Sequence, residues 1–229
     1  MVIGGLQKFS LQDFPGKIAA IVFCRGCNFR CPYCHNPELV DPGRYAASIP
    51  PAEVLDFLST RRGRLQGVVV TGGEPTLHRD LPDFLAAIRD LGFAIKLDTN
   101  GSNPVMPSEI LGRSLADYVA MDIKAPISAY ARVAGAAVQT QDIVESIRLL
   151  NDTRVPHEFR TTYVDSLLSI ADMRKLALLL QGCGRFVLQS FRPAKTLDEG
   201  LLFHHSPTEA KMKEIREMLE AAGLKVALR

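Results

Sequence analysis

The sequence predicts an α/β protein: a parallel sheet curled into an incomplete (β/α)6 TIM-like barrel, with its helices on the outside. Three observations lead there. Short apolar runs alternate with amphipathic helical stretches along the chain. Nearly every apolar run ends in a polar or glycine-rich signature, and in a parallel barrel all C-terminal strand ends meet on one rim. The chain has 229 residues, 47% of them hydrophobic, which suits one domain with a sizeable core. That single domain is expected to span 1–229, with its core over about 15–195 and a C-terminal helix and strand in 206–229.

Strands are expected at 17–23, 67–71, 93–99, 117–123, 158–164, 186–191 and 224–228, each a short run rich in Val, Ile, Leu and Phe. Helical patterns lie between them. Pro50-Pro51-Ala52-Glu53 opens one with proline in the first turn, and Leu55 and Leu58 continue its apolar stripe. Asp80 is placed to cap a helix carrying Phe84, Leu85, Ile88 and Leu91 on one face, and Gly92 stops it. Two more are expected at 141–150 and 170–180. Ser206-Pro207-Thr208-Glu209 reads as a capping box opening a last helix that runs to Gly223.

The signatures at the strand ends are where chemistry concentrates. Cys24, Cys27, Cys31 and Cys34 crowd one loop after the first strand; Cys183 is the only other cysteine. Thr71-Gly72-Gly73-Glu74-Pro75 follows the second strand and Asp98-Thr99-Asn100-Gly101 the third. Met121-Asp122-Ile123-Lys124 closes the fourth, Arg160 lies on the fifth, and Gln189-Ser190-Phe191-Arg192 closes the sixth. Six signatures would therefore surround one point.

Soft thiolates this close together converge on a metal centre. Three of them, Cys27-x3-Cys31-x2-Cys34, can hold three irons of a [4Fe–4S] cluster and leave the fourth iron open to a ligand. A structural zinc, or a ferredoxin-like cluster that also uses Cys24, stays open on spacing alone. Two glycines after a strand allow close backbone approach. Period-2 alternation puts Asp122 and Lys124 on one face, opposite Ile123; such a buried pair must be satisfied by each other, by water or by a ligand.

The cysteine loop, with Tyr33 before its last cysteine, resembles that of radical S-adenosylmethionine enzymes. More narrowly, Gly26 to Glu38, together with Asp13-Phe14-Pro15-Gly16-Lys17, is similar to the glycyl-radical-enzyme activating enzymes. Within that group the likeness is to activating proteins of anaerobic ribonucleoside-triphosphate reductase and to pyruvate formate-lyase activase. Matching segments run from about residue 5 to Arg192.

The resemblance implies a [4Fe–4S] cluster on Cys27, Cys31 and Cys34. It also implies S-adenosylmethionine near Tyr33, His35, Gly72, Gly73, Glu74, Asp98, Thr99, Asp122, Lys124, Arg160 and Arg192. It suggests a monovalent cation shared by Asp98, Thr99, Met121 and Asp122. The implied reaction is reductive cleavage of the cofactor to a 5′-deoxyadenosyl radical, which takes hydrogen from a glycine of a partner enzyme. The electron would come from a flavodoxin- or ferredoxin-type reductant. Two alternatives are carried beside it: a small-molecule enzyme like the 7-carboxy-7-deazaguanine synthases, and a non-catalytic iron–sulfur or zinc protein.

Composition narrows the rest. A net charge of +2 gives no footprint for nucleic acid. No run of about 18 apolar residues predicts a membrane span. Clustered cysteines without a secretory pattern at the N-terminus predict reduced thiols in a cytoplasm.

Overall fold

The computed structural model describes residues 1–229. One eight-stranded sheet runs through it: β1 (Ile3–Ser10), β2 (Ala19–Cys24), β3 (Gly67–Gly72), β4 (Ala94–Thr99), β5 (Tyr118–Asp122), β6 (His157–Tyr163), β7 (Phe186–Ser190) and β8 (Val226–Leu228). The strands lie in sequence order, β1 antiparallel to β2 and every later neighbour parallel. Between successive parallel strands run α1 (Pro37–Val40), α2 (Pro51–Ser59), α3 (Leu81–Asp90), α4 (Val105–Gly112), α5 (Tyr130–Ala134), α6 (Thr140–Asp152), α7 (Ile170–Leu179) and α8 (Glu209–Ala221). Six β/α units, closed by β8, match the expectation. β1 and β8 do not pair, so the barrel is open on one side.

Side-chain alternation shows which face is which. On β2, Ala20, Val22 and Cys24 join a core of 50 buried residues that includes Leu85 and Ile88 of α3 and Ile143 and Ile147 of α6. Ala19 and Ile21 point the other way and meet Phe14, Val69 and Tyr118 in a separate cluster of five. This second cluster plugs the barrel floor. Higher up the same inner face the sequence turns ionic: Lys96 and Asp98 on β4, Asp122 on β5, Arg160 on β6. The sheet curls around them. Laid flat, β2 and β7 would stand about 24 Å apart at the usual ~4.8 Å spacing, yet His35 Nε2, after β2, lies 3.0 Å from the carbonyl of Arg192, after β7.

Several local expectations need correction. β1 has no place among the expected strands, because Gly4, Gly5, Gln7 and Lys8 break the alternation that marks a strand. α4 and the short α5 were likewise not expected. Asp80 sits at the start of α3 but makes no cap bond; its carboxylate instead engages the amino group of Met1. The last helix begins two residues later than the capping-box reading places it. Thr208 is the cap, its hydroxyl accepting from Lys211 N at 3.2 Å, and Pro207 is buried ahead of the helix.

Candidate active site

A cavity of about 340 Å3 opens at the C-terminal rim, within the usual range for ligand sites. All six strand-end signatures reach it. Cys27, Cys31, Tyr33, Cys34 and His35 come from the loop after β2; Thr71, Gly72, Gly73 and Glu74 from the end of β3. Asp98, Thr99 and Asn100 come from β4, Asp122 and Lys124 from β5, Arg160 and Thr162 from β6, and Gln189 from β7.

Cys24 is not among them. It is fully buried on the outer face of β2, in the core beneath the helices. Burial, with Glu74 nearby, pushes its thiol far above the ordinary range. The three cavity thiols are raised too, mainly by burial, Cys27 to about 12. As free thiols they are neutral at pH 7, so metallation must release their protons.

The donor set can be tested against the group it is expected to hold. No three Cys, His, Asp or Glu side chains converge closely enough for a single metal ion, so a tetrahedral zinc does not fit. Three thiols spread around one cavity suit the corners of a larger cluster. The hydroxyl of Tyr33 is fully buried with no protein partner, against the Cys31 sulfur but outside ordinary hydrogen-bond geometry. A buried donor without an acceptor marks an acceptor yet to be supplied, and cluster sulfur would supply it.

The loop is held by glycines where no side chain fits. A Cβ on Gly73 would stand 2.0 Å from the carbonyl oxygen of Gly26, and one on Gly72, at φ +117°, 2.5 Å from Cys24 N. The pair therefore lets the end of β3 press against the cysteine loop. Gly73 N donates to Cys24 O at 2.8 Å and Glu74 N to Gly26 O at 2.8 Å. Gly135, in the left-handed region after α5, does the same for Arg30. Its Cβ would meet Arg30 O at 2.2 Å, and Arg30 N donates to Ala134 O at 2.8 Å.

Glu74 is a buried hub rather than a free carboxylate. Oε1 accepts from Thr76 N at 3.1 Å, Thr76 Oγ1 at 2.6 Å and Thr99 Oγ1 at 2.8 Å, while Oε2 accepts from Asn100 N at 2.6 Å. Burial raises its pKa although these donors oppose the rise. With four donors the carboxylate is close to saturated, and its work is to tie the ends of β3 and β4 together.

Below the thiols runs an alternating ionic ladder. Lys96 pairs with Asp98; Arg160 pairs with Asp98 at 3.2 Å and with Asp122 at 2.8 Å; Lys124 pairs with Asp122 at 3.2 Å. Burial alone would raise both aspartates. Arg160, with Lys96 on Asp98 and Lys124 on Asp122, overcomes it and holds both below the usual carboxylate range. Burial would lower Lys124, but Asp122 overrides it and keeps the ammonium charged. Three cations face two anions, which leaves one positive charge in surplus, with Lys124 closest to Cys31 and Tyr33.

Two expected contacts are placed differently. The side chain of Arg192 is exposed and lines no part of the cavity; only its carbonyl takes part, facing His35. Met121 packs its side chain against Gly101 in the outer core, and the space between Asp98 and Asp122 is filled by the Arg160 guanidinium. Asn100 and Gln189, members of the strand-end signatures to which the sequence assigned no contact, line the cavity, as does Thr162, which lay outside them. Thr162 was legible, since it shares the inward parity of Arg160.

A model of the radical SAM superfamily matches residues 21–177, from the middle of β2 into the last turn of α7. The chain belongs to this superfamily. It is a radical SAM enzyme, and the superfamily's cofactors are a [4Fe–4S] cluster and S-adenosylmethionine. One relative is a Methanocaldococcus jannaschii protein with the provisional name glycyl-radical enzyme activating enzyme. It is 30% identical, with 93% of this chain and 90% of that protein covered. A 7-carboxy-7-deazaguanine synthase of Thermococcus kodakarensis is 27% identical over 82% of this chain and 79% of its own length. Among solved structures, Streptococcus suis SuiB bound to its precursor peptide SuiA superposes with a TM-score of 0.71 at 16% identity. That match covers 91% of this chain, which spans about half (48%) of SuiB, and at this identity it speaks for the fold alone. No helix is long and apolar enough to cross a membrane.

Proposed function

We propose that this protein is an activase that installs a glycyl radical on a partner enzyme, and that the partner is anaerobic ribonucleoside-triphosphate reductase. The observation that carries the reading is the near full-length relative with the activating-enzyme name. When bound together, cluster and cofactor supply a one-electron cleavage to methionine and a 5′-deoxyadenosyl radical, which takes a hydrogen atom from a glycine Cα.

In this reading Cys27, Cys31 and Cys34 hold the cluster. Lys124, the end of the ladder nearest the thiols, meets the cofactor's carboxylate, and Arg160 fixes Asp98 and Asp122 beside it. Gly72, Gly73 and Thr99 offer backbone and hydroxyl groups to the methionine part, while Tyr33 and His35 border it. Glu74 positions this rim through its four donors. A monovalent cation has a place here only outside the carboxylate faces that Arg160 already occupies. The opening between β1 and β8 supports a polypeptide substrate, and a flavodoxin- or ferredoxin-type protein in the cytoplasm would deliver the electron.

The experiment is anaerobic reconstitution, reduction, and mixing with candidate glycyl radical enzymes. The reading expects 5′-deoxyadenosine in step with a glycyl-radical EPR doublet on the partner. Cofactor cleavage with no radical on any candidate, but conversion of a small-molecule substrate, would favour the second reading. That reading, a small-molecule enzyme, is supported by the Thermococcus kodakarensis relative over four-fifths of both chains.

A further inference from the structure

Asn100 is 5% exposed and sits at the end of β4 facing the cysteine loop. Its amide orientation is fixed from both sides. Oδ1 accepts from Ser102 N at 2.9 Å, which only an oxygen can do, so Nδ2 must point at the loop. One Nδ2 hydrogen goes to Asn28 Oδ1 at 2.9 Å. The other is directed at Cys27 Sγ, 3.9 Å away and at the outer edge of donor–sulfur reach. Asn28 in turn donates to Ser102 Oγ at 2.8 Å, closing a clamp between the two loops.

The same sulfur receives Phe29 N at 3.4 Å, from within its own loop. The groups facing Cys31 and Cys34, the Tyr33 hydroxyl and Asn36 N, also belong to that loop. Asn100 is the residue from outside that loop whose N–H is directed at a cluster cysteine, while Lys124 acts on these sulfurs through its charge. An N–H aimed at a ligating thiolate stabilises the more negative, reduced cluster, so it raises the reduction potential.

We propose that Asn100 acts through Cys27 as a residue that sets the potential of the cluster, holding it higher than the loop's own donors would. Because Asn100 N also bonds Glu74 and its neighbours Asp98 and Thr99 line the cavity, the strand end facing the cofactor is tied to a sulfur that would hold the cluster.

The test is an EPR-monitored redox titration of the reconstituted holoprotein, with iron counted in every variant. Asn100→Ala removes the donor aimed at Cys27 Sγ. It should cut the reduced-to-oxidised ratio at a fixed potential about fivefold, a downward shift of about 40 mV at 59 mV per tenfold for one electron. Asn100→Asp keeps the acceptor for Ser102 N, replaces the donor with a carboxylate oxygen, and should shift the potential at least as far in the same direction. Asn28→Ala opens the clamp but leaves the Asn100 donor, so its potential should match the wild type. A change below about 1.5-fold in an Asn100→Ala protein with four irons would overturn the proposal. So would a shift in Asn28→Ala as large as that in Asn100→Ala, or loss of the cluster from both Asn100 variants, either of which makes the residue merely structural. The readout needs no partner protein, so it is decided separately from the glycyl-radical reading.

Discussion

Arg160 is the joint of the ionic ladder, and its removal has a calculable consequence. At 2.8 and 3.2 Å from its two aspartates, each pair is worth about 5–6 kcal/mol gross at an effective dielectric of ~20. Much of that is offset by the cost of drying the guanidinium, whose side chain is 10% exposed. Breaking a buried pair from one side typically costs ~3–5 kcal/mol. Here Asp98 keeps Lys96 and Asp122 keeps Lys124, so the lower end applies. Arg160→Met, of similar volume, should therefore destabilise the apoprotein by about 3 kcal/mol at pH 7, with an unchanged urea m-value.

The pH dependence has a definite sign. In the wild type both aspartates have depressed folded pKa values. Their contribution is fully present above the unfolded value of ~3.9 and is lost as pH falls through the folded values. Without Arg160 the depression is smaller, so the variant has less to lose on acidification. The stability gap should be flat between pH 5 and 8 and narrow below about pH 4. Urea unfolding at pH 7 and pH 3.5 measures both points. A gap under 1 kcal/mol at pH 7, or one that widens in acid, would refute the reasoning.

Three further outcomes follow from the same geometry. Cys24→Ala should cost about 1–2 kcal/mol as a small truncation in a packed core yet leave the iron content of the reconstituted protein unchanged, whereas Cys31→Ala should lose the stable four-iron cluster; iron and sulfide analysis separates the two. Gly73→Ala forces a 2.0 Å approach to Gly26 O and Gly135→Ala a 2.2 Å approach to Arg30 O, so each should lower cluster retention and slow 5′-deoxyadenosine formation more than tenfold. Glu74→Gln turns a donor toward donors and should cost about 1–3 kcal/mol per unsatisfied group, measured by thermal unfolding.

The inward face of the barrel was largely legible in the sequence, because strand parity carries it. Asp122 and Lys124 fall on one face with Ile123 opposite, and Ile123 is indeed fully buried in the outer core. The strand ends were legible as well, since residues such as Gly72-Gly73 and Cys27-x3-Cys31-x2-Cys34 have no place inside regular elements. What the sequence did not reveal is which neighbour each special residue answers to. The two glycines do line the cavity, and what the sequence did not show is that the backbone of Cys24 and Gly26 also fills the space a Cβ on either would need. Glu74 lines the cavity, but its oxygens also bond Thr76, Thr99 and Asn100, and the last two appear only when β3 and β4 are adjacent. Arg192 lies one residue beyond the inward positions of β7, and nothing in the local pattern shows that its side chain turns outward. β1 escaped because an edge strand paired on one side needs no apolar alternation.

Cys24 faces the helices and only three cysteines reach the cavity, so one iron of a four-iron cluster held there would have no protein thiolate. The direct measurement is the EPR spectrum of the reduced, reconstituted protein before and after adding S-adenosylmethionine. The cofactor should change the cluster signal, in the wild type and in Cys24→Ala alike. A signal indifferent to the cofactor, together with loss of the cluster in Cys24→Ala, would contradict it.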